Sequence, residues 1–199
     1  MEGGFDPSDE RLVSLSKDGN LGAFNSLVER YQSAVYALCL RLLGSRPAAE
    51  DATQETFISA FRAISRFSDG NLRAWLLRIA ANECKDELRR RNRKDAGASL
   101  DAMLEDEDGP HEIPDRGAST PLLIEQKELA GEVQKLLLGL PFDQRQAVVL
   151  SDLHGYHYDE IARISGASIG TVKSRIHRGR ERLRQLVAAN PELFPKGQR

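Results

Sequence analysis

From Asp95 to Thr120 the chain carries no apolar stripe on which a helix or strand could be built. The stretch contains Gly97, Gly109, Gly117, Pro110 and Pro114, together with the acids Asp101, Glu105, Asp106, Glu107, Asp108, Glu112 and Asp115. A segment of this composition cannot bury enough apolar surface to offset the entropy of ordering it, so it reads as a flexible linker. On both sides of it apolar residues return at spacings of three and four. The 199 residues therefore divide into a helical domain over 8–95, an acidic flexible linker over 96–120 and a second helical domain over 121–189. The expected fold class is all-α: two helical domains joined by a flexible acidic linker, the second a helix-turn-helix domain.

The choice of helix over strand rests on which residues supply the apolar positions. Aromatics make up 6% of the chain, and valine and isoleucine rarely alternate with polar residues. Leu, Ala, Arg and Glu dominate, and these favour helix. Periodicity begins near Ser8. Phe24, Leu27, Val28, Tyr31, Val35, Leu38 and Leu42 mark one buried stripe of a helix from about Leu21 to Leu43. Gly44 is suited to end it, and Pro47 to open the next, which runs to about Ser65. Ser68-Asp69-Gly70-Asn71 is a turn cluster, followed by a helix from about Leu72 to Arg91. Beyond the linker, Leu122, Leu129, Val133, Leu136 and Leu137 form another apolar face. Pro141 opens a helix carrying Ala147, Val148 and Leu150, and two shorter patterns follow, near Tyr158–Ser165 and Ser168–Ala188.

The last two patterns form the most specific local signal, helix, glycine turn, helix. Ile161 and Ile164 give the first an apolar edge, and Ala162 permits close helix crossing. Gly166 suits a left-handed turn, and Ser168 suits an N-cap. A helix-turn-helix places its second helix in the DNA major groove. Projected at about 100° per residue, that helix buries Ile169, Val172, Ile176, Leu183 and Leu186. Gly170, Ser174, His177 and Glu181 lie opposite. Lys173, Arg180 and Arg184 flank them on one side, and Thr171, Arg178 and Arg182 on the other. Ser174 and His177 are placed to read base edges while the flanking cations meet phosphates. The formal net charge of −2 is no obstacle, because it sums basic blocks at Lys85–Lys94 and Lys173–Arg184 with an acidic one at Asp101–Asp115.

Two faces of the first half also stand out. On the Pro47–Ser65 helix, Ala49, Ala52, Thr56, Phe57, Ala60 and Ile64 share one side, with Phe57 read as core. Asp51, Gln54, Glu55, Ile58 and Arg62 share the other. Polar groups around one apolar residue suit a protein interface and equally suit a solvated face. On the following helix Arg78, Asn82, Lys85 and Arg89 form a mostly basic stripe opposite Leu77, Ala81, Cys84 and Leu88. Cations in a row fit the backbone of single-stranded nucleic acid. Trp75 reads as a core anchor in preference to a stacking platform.

These motifs together resemble the extracytoplasmic-function sigma factors of bacterial RNA polymerase. Gly170-Thr171-Val172-Lys173-Ser174-Arg175 followed by Arg178-x-Arg180 is similar to region 4 of that family, as are the preceding Leu140-Pro141, Gln144-Arg145 and Gly155-Tyr156. Asp51-x-x-Gln54-Glu55-x-Phe57 is similar to region 2.2, and Trp75 through Arg91 to regions 2.3 and 2.4. The resemblance covers residues 20–94 and 121–188. It implies a factor that binds core RNA polymerase and directs promoter-specific initiation. Asp51, Gln54, Glu55 and Ile58 would contact polymerase. Asn71, Arg78, Asn82, Lys85 and Arg89 would hold the melted minus-ten element, with the loop from Phe67 to Arg73 receiving a flipped base. Thr171, Lys173, Ser174, His177, Arg178, Arg180 and Arg184 would bind the duplex minus-thirty-five element. It also implies an anti-sigma partner. The acidic linker would thread a cationic polymerase channel or serve as a solvated spacer. His157 stands where the family often has a Ser or Thr cap, and His177 where it often has an aromatic or other specificity residue.

Other classes fit less of the chain. A helix-turn-helix regulator that is not a sigma factor accounts for the second half and leaves Asp51-x-x-Gln54-Glu55 and the basic stripe unexplained. No Walker loop, nucleophile elbow or dinucleotide turn is present, so no enzyme and no cofactor is expected. His154-x-x-His157 lacks a third ligand at a diagnostic spacing, so no metal is expected either. Cys39 and Cys84 lie singly in helical patterns and read as small core residues. No apolar run approaches the roughly 18 residues of a membrane span. The N-terminus lacks a basic segment followed by an apolar one, so a cytoplasmic protein without membrane insertion is expected.

Overall fold

The computed structural model describes residues 8–68, 70–98 and 121–190, with side chains over 8–68, 70–93 and 129–190. The seven linker acids lie outside these residues, as does any path they take. Eight α-helices make up the described residues, which contain no strand: α1 Asp9–Lys17, α2 Leu21–Leu43, α3 Arg46–Ala63, α4 Leu72–Ala98, α5 Pro121–Leu138, α6 Phe142–Val148, α7 Tyr158–Ser165 and α8 Ile169–Ala189. None is long and apolar enough to cross a membrane. A 3₁₀ turn, Ile64–Arg66, follows α3, and a π-helical turn, Val149–Leu153, follows α6.

Local chemistry sets these ends. Ser8 and Asn20 cap α1 and α2 by accepting from the N–H groups of Arg11 and Ala23. Gly44 ends α2 at φ +73°, a left-handed conformation that costs glycine no Cβ clash. Helix α4 continues to Ala98, past the expected end near Arg91 and three residues into the expected linker.

Helices α1 to α4 pack around Leu27, Val35, Leu38, Leu42, Ala49, Ala60 and Ala80, each 2% exposed or less. Thr56 is fully buried, and its hydroxyl is satisfied by donating to Ala52 O at 2.6 Å. Cys39 and Cys84 are also fully buried, on α2 and α4. The neighbouring Cys39 thiol together with burial pushes the Cys84 thiol up. In the second half, Val149, Leu150, Ile161, Ile164, Val172 and Ile176 form the centre.

The two halves do not stand apart. Their buried residues form one continuous apolar cluster, and α7 packs on α4 while α5 and α6 reach α2. The carboxyl end of α2 is the seat. Arg145 of α6 is 7% exposed. It donates to Leu42 O of α2 and, at 3.0 Å each, to Leu138 O and Leu140 O. Burial lowers its pKa. Gln134 of α5 donates to Arg41 O at 3.2 Å and accepts from the Arg41 guanidinium at 3.1 Å. Sequence periodicity gave no sign of this shared core, because it locates a buried face without naming what covers the face.

Candidate nucleic-acid interface

The helix-turn-helix forms as its residue types demand. Gly166 takes φ +65° and donates its N–H to Ala162 O, closing α7. Ser168 caps α8 by accepting from Thr171 N–H at 3.1 Å. At the start of α7, Glu160 accepts the His157 N–H at 2.9 Å, one half of a capping box. Helix α8 lies on α6 through Gly179. A Cβ at that position would stand 2.6 Å from Val148 Cγ2.

Along α8, Val172 and Ile176 are buried and Leu183 and Leu186 half-buried. Ile169 departs from the expected buried face and is 47% exposed. Residues 168–171 are all exposed, so the apolar seam of α8 begins one turn later, at Val172. Of the candidate DNA contacts, Thr171, Lys173, His177, Arg178, Arg180 and Arg184 are exposed and Ser174 is half-buried. They differ in what already holds them. Arg180 grips Asp152, with Nε 3.0 Å and Nη2 2.5 Å from its two oxygens. That contact holds the Asp152 carboxyl below the usual carboxylate range. Arg184 pairs with Glu181 at 2.5 Å. Lys173 and Arg178 enter no ion pair among the described residues.

In the first half, α4 carries the basic stripe. Arg78, Asn82 and Arg89 are exposed and Lys85 half-buried. Arg89 pairs with Asp86 at 3.0 Å. Asn71 serves as the cap of α4, its side-chain oxygen accepting from Ala74 N–H at 2.9 Å, which leaves its amide N–H₂ for other partners. Trp75 is half-buried with its ring 5.0 Å from that of Phe67, the packing of an anchor.

Helix α3 turns Asp51, Gln54 and Glu55 to solvent and leaves Ile58 half-buried. Phe57 is buried at 8%. On one side of this row an open groove of about 830 Å³ runs between α2 and α3, floored by Leu21, Phe24, Val28, Tyr36 and Phe61 with Gln54 and Ile58 at its rim. On the other, Asp51, Gln54 and Glu55 line a narrow polar cleft with Glu83, Glu87 and Arg90 of α4.

Several interacting residues escaped the sequence reading. Asp143 of α6 accepts from Lys85 Nζ at 3.3 Å and from Arg175 Nη2 at 2.7 Å. Arg73 stacks 5.4 Å from the centre of the Tyr156 ring. His154 is half-buried, and burial, with Arg73 and Arg41 adding, pushes its pKa below 6.5. No group of three His, Cys, Asp or Glu side chains among the described residues is arranged to hold a metal ion.

Comparison with known proteins places both halves. Residues 27–94 match the family model for sigma-70 region 2, and residues 130–183 that for sigma-70 region 4. The ECF RNA polymerase sigma factor SigE of Mycolicibacterium smegmatis is 37% identical over 188 residues, covering 92% of this chain and 70% of that protein. The ECF RNA polymerase sigma-E factor of Escherichia coli is 38% identical over 176 residues, covering 87% and 91%. Among solved structures, the sigma factor RpoE of Bartonella quintana in complex with the anti-sigma factor NepR aligns with TM-score 0.63 at 31% identity, over 83% of this chain and 96% of that one. CnrH in complex with the cytosolic domain of CnrY aligns with TM-score 0.64 at 26% identity, over 92% and 98%.

Proposed function

Because this chain belongs to the ECF sigma factors of RNA polymerase, we propose which of its residues carry out the family's work of directing transcription initiation. The row Asp51, Gln54, Glu55 and Ile58 on α3 docks core polymerase. Arg78, Asn82, Lys85 and Arg89 on α4, with Asn71 at its start, hold the melted minus-ten strand. Thr171, Lys173, Ser174, His177, Arg178, Arg180 and Arg184 on α8 bind the duplex minus-thirty-five element. The protein is not an enzyme; it works in the cytoplasm, where polymerase and promoter DNA are. An anti-sigma factor is a further partner, in keeping with the complexes in which two related structures were solved. Residues 8–95 and 121–189 act as the two DNA-binding modules, joined through 96–120.

The polymerase assignment rests on one observation: three exposed polar side chains stand in a row on α3, with a half-buried isoleucine opening onto an apolar groove. Such a combination suits a partner helix that buries apolar side chains and is oriented by charge. Asp51→Arg with Glu55→Arg should abolish pull-down of core polymerase, since like charges in a complementary interface cost several kcal/mol. Both positions are exposed, so circular dichroism should be unchanged. A folded double variant that still binds polymerase overturns the assignment. In vitro transcription with core polymerase separates this function from that of a regulator using the helix-turn-helix alone.

A further inference from the structure

The tip of α8 departs from the rest of the helix. Ile169, its first residue, is 47% exposed although periodicity places it on the buried side. Its neighbours in the first turn offer little with which to read a base. Gly170 has no side chain, and a Cβ there would meet only Ser168 Oγ, at 3.9 Å. Ser168 caps the helix, and the Thr171 hydroxyl is tied to that cap, 2.9 Å from Ser168 Oγ. Ile169, Lys173 and His177 follow one another at intervals of four, so they stand one above another along the helix, and all three are exposed. An apolar, branched side chain thus heads the row in which Lys173 and His177 are assigned to duplex DNA.

The N-terminal residues of the second helix of a helix-turn-helix are those that meet base edges in the major groove. An aliphatic side chain has no hydrogen-bond donor or acceptor. Of the groups that the four bases display in that groove, the apolar one is the C5-methyl of thymine. We propose that Ile169 is a specificity-determining residue of the duplex-reading face, packing on the C5-methyl group of a thymine in the minus-thirty-five element. This rests on the assignment of α8 to duplex DNA. The missing Cβ of Gly170 leaves room for the base edge to come within contact of Ile169.

The methyl group can be removed from the DNA and the side chain from the protein, separately and together. The full chain reconstituted with core RNA polymerase first selects its preferred sequence from a pool of randomised duplexes. The selected duplex is then resynthesised with deoxyuridine in place of each thymidine in turn. Uracil keeps the pairing and the O4 acceptor and lacks only the methyl. At one position of the minus-thirty-five element the exchange should weaken binding by the unaltered protein about fourfold, the loss expected for one buried methyl group. Ile169→Ser should bind the thymidine duplex more weakly by at least that factor and no longer distinguish it from deoxyuridine at that position. Ile169→Val should keep part of the distinction. The position is exposed, so circular dichroism of both variants should be unchanged.

Indifference of the unaltered protein to deoxyuridine at every position would overturn the proposal, as would a selected element without thymine. Equal sensitivity in the unaltered protein and in Ile169→Ser would mean that another residue reads the methyl, and would overturn it too. Failure of the underlying assignment looks different: Arg178→Ala, Ser174→Ala and His177→Ala would then leave both affinity and selected sequence unchanged. Effects of those three without one from Ile169→Ser would remove Ile169 alone.

Discussion

At the scale of single residues, one glycine and one histidine govern how the halves meet. Gly44 needs its missing side chain twice over. Its φ of +73° is strained for other residues, and a Cβ there would stand 2.5 Å from Leu138 Cδ1. Forcing an L-residue into the left-handed region costs about 1–2 kcal/mol, and the Cβ also displaces the end of the Leu138 side chain, which is 38% exposed and can yield. Gly44→Ala should therefore lower the melting temperature by several degrees in a thermal scan. His154 makes the packing pH-sensitive. Its folded pKa lies below the unfolded value of 6.5, so the unfolded chain binds more protons and stability falls as pH drops below about 6.5. Above that value the contribution is complete. Moving from about pH 7.5 to 5.5 should lower the melting temperature of the unaltered protein more than that of His154→Asn, and equal losses would remove His154 from the account. The two positions differ in legibility. A glycine between two helical patterns announces a left-handed end. The environment of His154 depends on Arg41 and Arg73, more than 80 positions away in the chain, and no local pattern carries that.

Among the elements, the helices were legible because each has an apolar stripe and chemically distinct ends. Ser8, Gly44, Gly166 and Ser168 all stand at boundaries that the structure confirms. The π turn at Val149–Leu153 was not, since one wider turn leaves the same residue types in place. The partners of the α8 cations were equally hidden. Arg180 and Asp152 are separated by a turn and a helix, yet they meet. Their meeting sharpens what α8 should do. Arg178 enters no internal ion pair among the described residues and gives up nothing on meeting a phosphate, whereas Arg184 must release Glu181. Arg178→Ala should weaken binding to many duplex sequences alike and lower the log–log salt slope by about 0.9, and Arg184→Ala should do less. Ser174→Ala and His177→Ala should shift preference at particular base pairs, because contacts to base edges carry the sequence information. Selection from a pool of randomised duplexes measures both effects. An unchanged profile for Ser174 and His177 together would move the reading to another face.

For the whole molecule, the shared core changes what separation of the domains means. Division of the chain at the linker was legible from composition; the packing of one half on the other was not, because Leu137, Leu140 and Leu150 look in sequence like the core of a single small domain. Expressed as two chains divided within 99–120, the halves should find each other, since the contacts between Arg145, Gln134, Leu138 and α2 need no covalent tie. Titration by analytical ultracentrifugation should detect a one-to-one complex, weakened by Asp143→Lys. Neither half alone, nor the untethered pair, should initiate efficiently at a promoter that needs both elements, because the linker's effective concentration is lost. Halves that never associate would imply that the packing needs the tether.

The seat on α2 has an implication for exchanging parts between relatives. Apart from the Arg41 guanidinium, what Arg145 and Gln134 grasp there is backbone, the carbonyls of Leu42 and Arg41, and every amino acid supplies a carbonyl. A second half transplanted from another member, bringing its own arginine and glutamine, would find the same acceptors whatever side chains the host helix displays. Host positions without such freedom are 44, whose left-handed φ of +73° favours glycine, and 85, whose ammonium meets Asp143. Chimeras within the family should thus dock more readily where the host keeps a glycine at the end of this helix.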